Sequence, residues 1–143
     1  EKYFLLLKRY NEPNKNMYVP VGGKLKPFET PVEGVVRETK EETGIHLQNP
    51  TLCGVLTESS PIDYNWISYI FCQDIDMIIP PESEEGILEW IKFKDISRIP
   101  TPKTDHFIYE FILKNKKFII DAQYDKNLNL ISMREEITDQ SLK

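Results

Sequence analysis

The chain has 143 residues, 18 lysines and arginines against 23 acidic residues, and a net charge of −5. That length suits one domain over residues 1–143, and 40% hydrophobic with 29% charged residues excludes a disordered or fibrous chain. No basic surplus exists to replace phosphate counterions, so a nucleic-acid partner is not expected, and no apolar run reaches the ~20 residues of a membrane span.

Residues 3–9, YFLLLKR, read as a buried strand, and MYVPVGG reads as a second short extended piece ended by a glycine pair. The strand follows Glu1 at once, so further residues are expected ahead of it; with no signal peptide visible, the cytoplasm is the default location. Residues 30–44 carry full helix punctuation. Thr30 suits the N-cap, Pro31 the first position, Glu33 the capping-box partner and Gly44 the left-handed stop. TLCGVLTES (51–59) and NWISYIFCQ (65–73) form a hairpin around Pro61 and Asp63, and their Cys53 and Cys72 read as reduced core thiols. The double proline and acids of 74–86 mark a loop, ILEWIKF (87–93) a strand with Trp90 in the core, and 104–115 a helix capped by Thr104 or Asp105. Two strands around a polar turn occupy 117–134, and EEITDQSLK is expected to fray. Strands interleaved with two helices indicate an α/β fold around a mixed sheet.

The chemistry concentrates on the first helix. At about 100° per residue, Glu38, Glu41 and Glu42 share one sector, flanking a packing stripe of Val32, Val35, Val36, Thr39 and Thr43; Glu33 and Lys40 face outward. Like charges at this spacing cost a helix a few tenths of a kcal/mol per pair. The cost makes sense if a divalent cation sits among hard oxygen ligands, as Mg²⁺ does. Upstream, Gly22 and Gly23 let the backbone approach a ligand and Lys24 can reach an anion. Arg37 falls beside the acids, where its planar fork can orient a carboxylate, with Glu29 as its partner.

Together these residues resemble the Nudix box of MutT-like hydrolases, G-x5-E-x7-R-E-U-x-E-E-x-G-U with U a bulky aliphatic. Gly23, Glu29, Arg37, Glu38, Glu41, Glu42, Gly44 and Ile45 stand at the required spacing, and Thr39 replaces one aliphatic. The departure falls on the packing stripe and leaves the acidic face intact. The order of elements resembles the Nudix α/β/α sandwich over nearly the whole chain, and SEEGILEWIKFKDI resembles the same segment of small bacterial nucleotide diphosphatases.

The resemblance implies hydrolysis of a nucleoside diphosphate linked to a further group, with Mg²⁺ as cofactor and Mn²⁺ as a substitute. By motif, Glu38, Glu41 and Glu42 are metal ligands, together with the Gly22 carbonyl and an acid of a later loop, Glu84 or Glu85. The proton acceptor is Glu41 or the 84/85 pair, with Arg37 in support. Gly23, Lys24, Phe28 and Asp105 are the substrate-binding candidates; Phe28 stands where a glycine is usual, and either touches a base or covers the helix start. Asp105 and His106 lie near where some relatives contact a base, while capping is the simpler role for Asp105. Pro61 points weakly to ADP-ribose and Tyr64 to dinucleoside polyphosphates. The leading substrate is a nucleoside triphosphate, including oxidised purine forms, cut to monophosphate and pyrophosphate. ADP-ribose or another nucleoside diphosphate sugar is the alternative, and a Nudix-fold binding module without turnover is the rival from another class. The resemblance also allows a homodimer.

Overall fold

The computed structural model describes residues 2–143. They fall into two compact units, one built from the chain up to Pro50 and from Gln73–Glu110, the other from Thr51–Cys72 and Phe111–Lys143.

The first unit holds a three-stranded antiparallel sheet in the order β2-β1-β5, from Tyr18–Val19, Tyr3–Arg9 and Gly86–Lys92. Leu6 and Leu7 of β1, with Leu88 and Ile91 of β5, are buried. Phe4 stacks obliquely on Phe93 at 4.4 Å and reaches Tyr109 at 5.4 Å. Helix α1 spans Pro31–Thr43, and a 3₁₀ turn over Phe93–Arg98 follows β5. Helix α2 spans Lys103–Leu113, so Thr104 and Asp105 lie inside its first turn. Neither is the cap that the sequence suggests. Thr104 is buried and Asp105 half-buried there.

The second unit is a five-stranded mixed sheet in the order β4-β3-β6-β7-β8: Trp66–Cys72, Thr51–Ser59, Phe118–Tyr124, Leu130–Glu135 and Gln140–Ser141. β3 and β6 run parallel and the other pairs antiparallel. Leu56, Phe118, Ile120, Ala122 and Met133 form its core. Gly54 sits at a register shift where a Cβ would meet the Phe118 ring at 2.4 Å, so glycine is required there for packing.

The α/β class with a mixed sheet agrees with the sequence reading, and the 51–59 and 66–72 hairpin forms as expected. Three further local expectations do not hold. Cys53 and Cys72 form no disulfide with each other, but both are only half-buried, outside the core. Val32 is exposed on α1, and Gly34 is buried instead under the side chain of Leu25. The tail does not fray: β8 pairs with β7, and Glu135 is wholly buried. Its carboxylate accepts from the backbone of Ile119, Ile137 and Thr138 and from the Thr138 hydroxyl, at 2.6 to 3.2 Å. Among the described residues, no helix is long and apolar enough to cross a membrane.

Candidate active site

Helix α1 is fixed at both ends before any site chemistry enters. The Thr30 hydroxyl accepts from the Glu33 amide at 3.2 Å and the Glu33 carboxylate accepts from the Thr30 amide at 2.8 Å. At the other end Gly44 takes φ 74°, and its N–H donates to the Lys40 carbonyl at 2.8 Å. A capped helix holds its carboxylates in a constant sector.

Arg37 organises that sector. Its Nε and Nη2 donate to the two oxygens of Glu29 at 2.5 and 2.9 Å, the bidentate fork that guanidinium geometry favours. Nη1 reaches Glu38 at 2.6 Å and Glu41 at 3.1 Å, and Nη2 also donates to the Lys24 carbonyl at 2.9 Å. Hydrogen bonds from Arg37, then one from the Lys26 amide, hold the Glu29 carboxyl down at about 2. The bonds to Glu29 and Glu38 push Arg37 further above its already high value. Glu29 is therefore a permanent anion that orients Arg37.

Glu42 is treated differently. Its Oε2 is buried without a hydrogen-bond partner. Burial first, then the charges of Glu38 and Glu85, raise its pKa to about 7, against a backbone bond from Gly22 and the charge of Arg9. A carboxylate oxygen withdrawn from water and left unpartnered is costly unless something positive meets it.

The glycine pair completes the surroundings. At Gly23 a Cβ would lie 2.3 Å from the Glu38 carboxyl, so the backbone hugs that acid and tolerates no side chain without displacing it. Hard carboxylate oxygens, one of them buried and orphaned, beside a bare backbone form a donor set suited to a divalent cation such as Mg²⁺. As they stand, no three acids among the described residues converge on one point, because Glu38 and Glu41 turn toward Arg37 and Lys26.

The structure thus joins Arg37, Glu38, Glu41, Gly23, the Lys24 backbone and Glu29 in one network, with Gly22, Glu42 and Glu85 in a second that shares Glu38. Of the two loop acids, Glu85 acts on Glu42; Glu84 is exposed and is not among the charges that shift it. Asp105 acts elsewhere, adding to the burial that pushes the Tyr109 phenol up. Phe28 does not cover the helix start, for its side chain is fully exposed. Two contributors escape a motif reading. Lys26 pairs with Glu41 at 3.7 Å, and Arg9, at the end of β1, brings its charge to Glu42. A Lys-Arg pair ending an apolar strand was the available signal for Arg9, and it is a weak one.

Comparison with known proteins agrees with this geometry. The family model described as NUDIX domain matches residues 1–114. The Nudix hydrolase YvcI of Bacillus subtilis is 33% identical over 140 residues, covering 94% of this chain and 86% of that protein. The ADP-ribose pyrophosphatase of Methanocaldococcus jannaschii is 33% identical over 107 residues, 71% of this chain, and the match spans 60% of that relative. Among solved structures, the MutT protein of Bacillus halodurans matches with a TM-score of 0.81 at 28% identity, over 94% of this chain and 90% of that one.

Proposed function

From the premise that the chain belongs to the NUDIX family and is a pyrophosphohydrolase, we propose that it cuts a nucleoside triphosphate to the monophosphate and pyrophosphate. Oxidised purine nucleotides of the 8-oxo type are included in that class. Hydrolases of this family use divalent metals such as Mg²⁺ and act on small nucleotides; here the metal is Mg²⁺, with Mn²⁺ able to replace it. Both compact units act as one catalytic domain over residues 1–143, and the reaction belongs to the cytoplasm.

The observation that carries this reading is the buried, partnerless Oε2 of Glu42 on the same helix as Glu38 and Glu41. Those three carboxylates, with the Gly22 backbone and an acid of the 84/85 pair, would hold the metal. When bound, the ion supplies positive charge against the anhydride oxygens and makes a nearby water more acidic. The residues of the chain do the rest. Glu29 fixes Arg37, and Arg37 keeps Glu38 and Glu41 in one orientation until a cation competes for them. The side-chain-free backbone at Gly22 and Gly23 lets the diphosphate approach, and the Lys24 ammonium offsets its charge. A carboxylate, Glu41 or Glu85, accepts the proton of the water that attacks phosphorus as the anhydride bond breaks and pyrophosphate leaves.

A second reading keeps the chemistry and makes ADP-ribose the substrate, on the strength of the 33% identity with an ADP-ribose pyrophosphatase. One assay separates them. The protein is given Mg²⁺ with ordinary and 8-oxo nucleoside triphosphates, ADP-ribose and diadenosine polyphosphates, and the products are identified. Pyrophosphate from a triphosphate supports the first reading, while AMP with ribose phosphate moves the protein to the second. Bound metal without turnover of any compound would leave a binding module.

A further inference from the structure

Phe28 is the residue that the fold treats least kindly. The Glu29 amide donates to the Lys26 carbonyl at 3.1 Å, closing a turn with Pro27 second and Phe28 third. Phe28 takes φ 63°, the left-handed value that the third position of such a turn demands and that glycine meets without strain. An L residue with a bulky side chain is strained there. The ring recovers nothing by packing, because its relative exposure is 106%, that of a side chain in an open peptide. Backbone and side chain therefore both argue against phenylalanine on grounds of folding alone.

The turn is nonetheless rigidly mounted beside the acids. The Lys24 carbonyl is held by Arg37 and the Lys26 amide by Glu29 at 2.8 Å. The Lys26 ammonium pairs with Glu41, and Thr30, the residue after the turn, caps α1. A strained, exposed aromatic on a hydrogen-bonded turn next to a reactive site is the pattern expected of a binding surface. We infer that Phe28 is a stacking platform for the flat ring of the nucleotide substrate, presented by the Lys26–Glu29 turn beside the α1 carboxylates. A phenyl face offers no hydrogen bonds and receives another π face with little regard to base identity, so it adds affinity for the nucleoside end without choosing among bases. This rests on the hydrolase reading above and extends it to the non-reacting part of the substrate.

The test compares the wild-type protein with Phe28→Gly and Phe28→Trp, using the triphosphate cleaved best and inorganic pyrophosphate as a ring-free inhibitor. Phe28→Gly should raise KM about tenfold and leave inhibition by pyrophosphate unchanged. Its thermal midpoint should rise by about 2 °C as the turn relaxes. Phe28→Trp should keep KM within about twofold of the wild type. An unchanged KM in Phe28→Gly would overturn the inference, and so would a KM and pyrophosphate inhibition that worsen together, since that marks a loop disturbance. Loss of self-association with unchanged KM would also overturn it, by assigning the ring to contact between chains. A wild-type protein that cleaves no nucleotide at all defeats the hydrolase reading first, and this inference with it, before any variant is compared.

Discussion

Glu42 and Glu135 are both carboxylates withdrawn from water, and the chain handles them in opposite ways. Glu135, wholly buried in the mixed sheet, receives four hydrogen bonds; burial pushes its pKa up, but the Thr138, Ile137 and Ile119 bonds outweigh that and hold it below the usual carboxylate value. Glu42 has an orphaned Oε2, with burial, Glu38 and Glu85 driving its pKa to about 7. A carboxylate whose acceptors are saturated serves the fold. One kept short of donors among other acids has the environment expected of a group that meets an external positive charge.

Substitutions can sharpen or break that contrast. The largest effect is expected on turnover. Glu42→Gln should lower kcat about a thousandfold, ~4 kcal/mol of barrier, with no fall in the urea midpoint at neutral pH, where losing the buried charge relieves a penalty; a folded variant of full activity would show that Glu42 takes no part in the reaction. Glu135→Ala should do the reverse. Leaving three backbone amides and a hydroxyl without an acceptor is expected to cost about 3 kcal/mol in urea unfolding, while turnover per folded molecule is retained. Gly23→Ala comes next, because its Cβ would strike the carboxyl end of the Glu38 side chain and not the backbone or the core. Activity should fall about 30-fold through displacement of Glu38, and stability should move by less than ~0.5 kcal/mol.

The smallest effect is the pH dependence of stability in metal-free protein. The Glu135 pKa lies lower in the folded chain than in the unfolded one, so its contribution is present above about 4.5 and lost as pH falls through the folded value. The Glu42 pKa lies higher when folded, so its contribution is complete below about 4.5 and lost as pH rises through about 7. Glu135→Gln should remove part of the acid-side loss and Glu42→Gln part of the neutral-side loss, read as urea midpoints from pH 3 to 8. Profiles that shift in the opposite sense would contradict the assignment of the two environments.

The two glutamates also differ in how well the sequence announces them. Glu42 is legible because its helix is: Thr30, Pro31, Glu33 and Gly44 punctuate it, and fixed spacing then places Glu38, Glu41 and Arg37 on one side. The Glu29 clamp follows from the same spacing and takes the expected bidentate form. Glu135 is not legible. It stands in an acidic, polar run that reads as a frayed tail, and its role depends on donors from β6 and from a turn that no periodicity reveals. The same limit explains Val32 and Gly34. A helical wheel gives angles, and the buried side is then picked by its apolar residues, whereas Gly34 is covered because Leu25 lies over it. Arg9 acts on Glu42 across a long stretch of sequence, a proximity that only the fold creates.

The central claim is that the acids of α1 are a metal site and not a solvated face. Calorimetric titration of Mg²⁺ into the metal-free wild type, Glu42→Gln and Glu135→Gln tests it most directly. Saturable binding in the wild type and in Glu135→Gln, lost in Glu42→Gln, is the expected result. Equal binding by Glu42→Gln and the wild type, or no binding by any of the three, would contradict it.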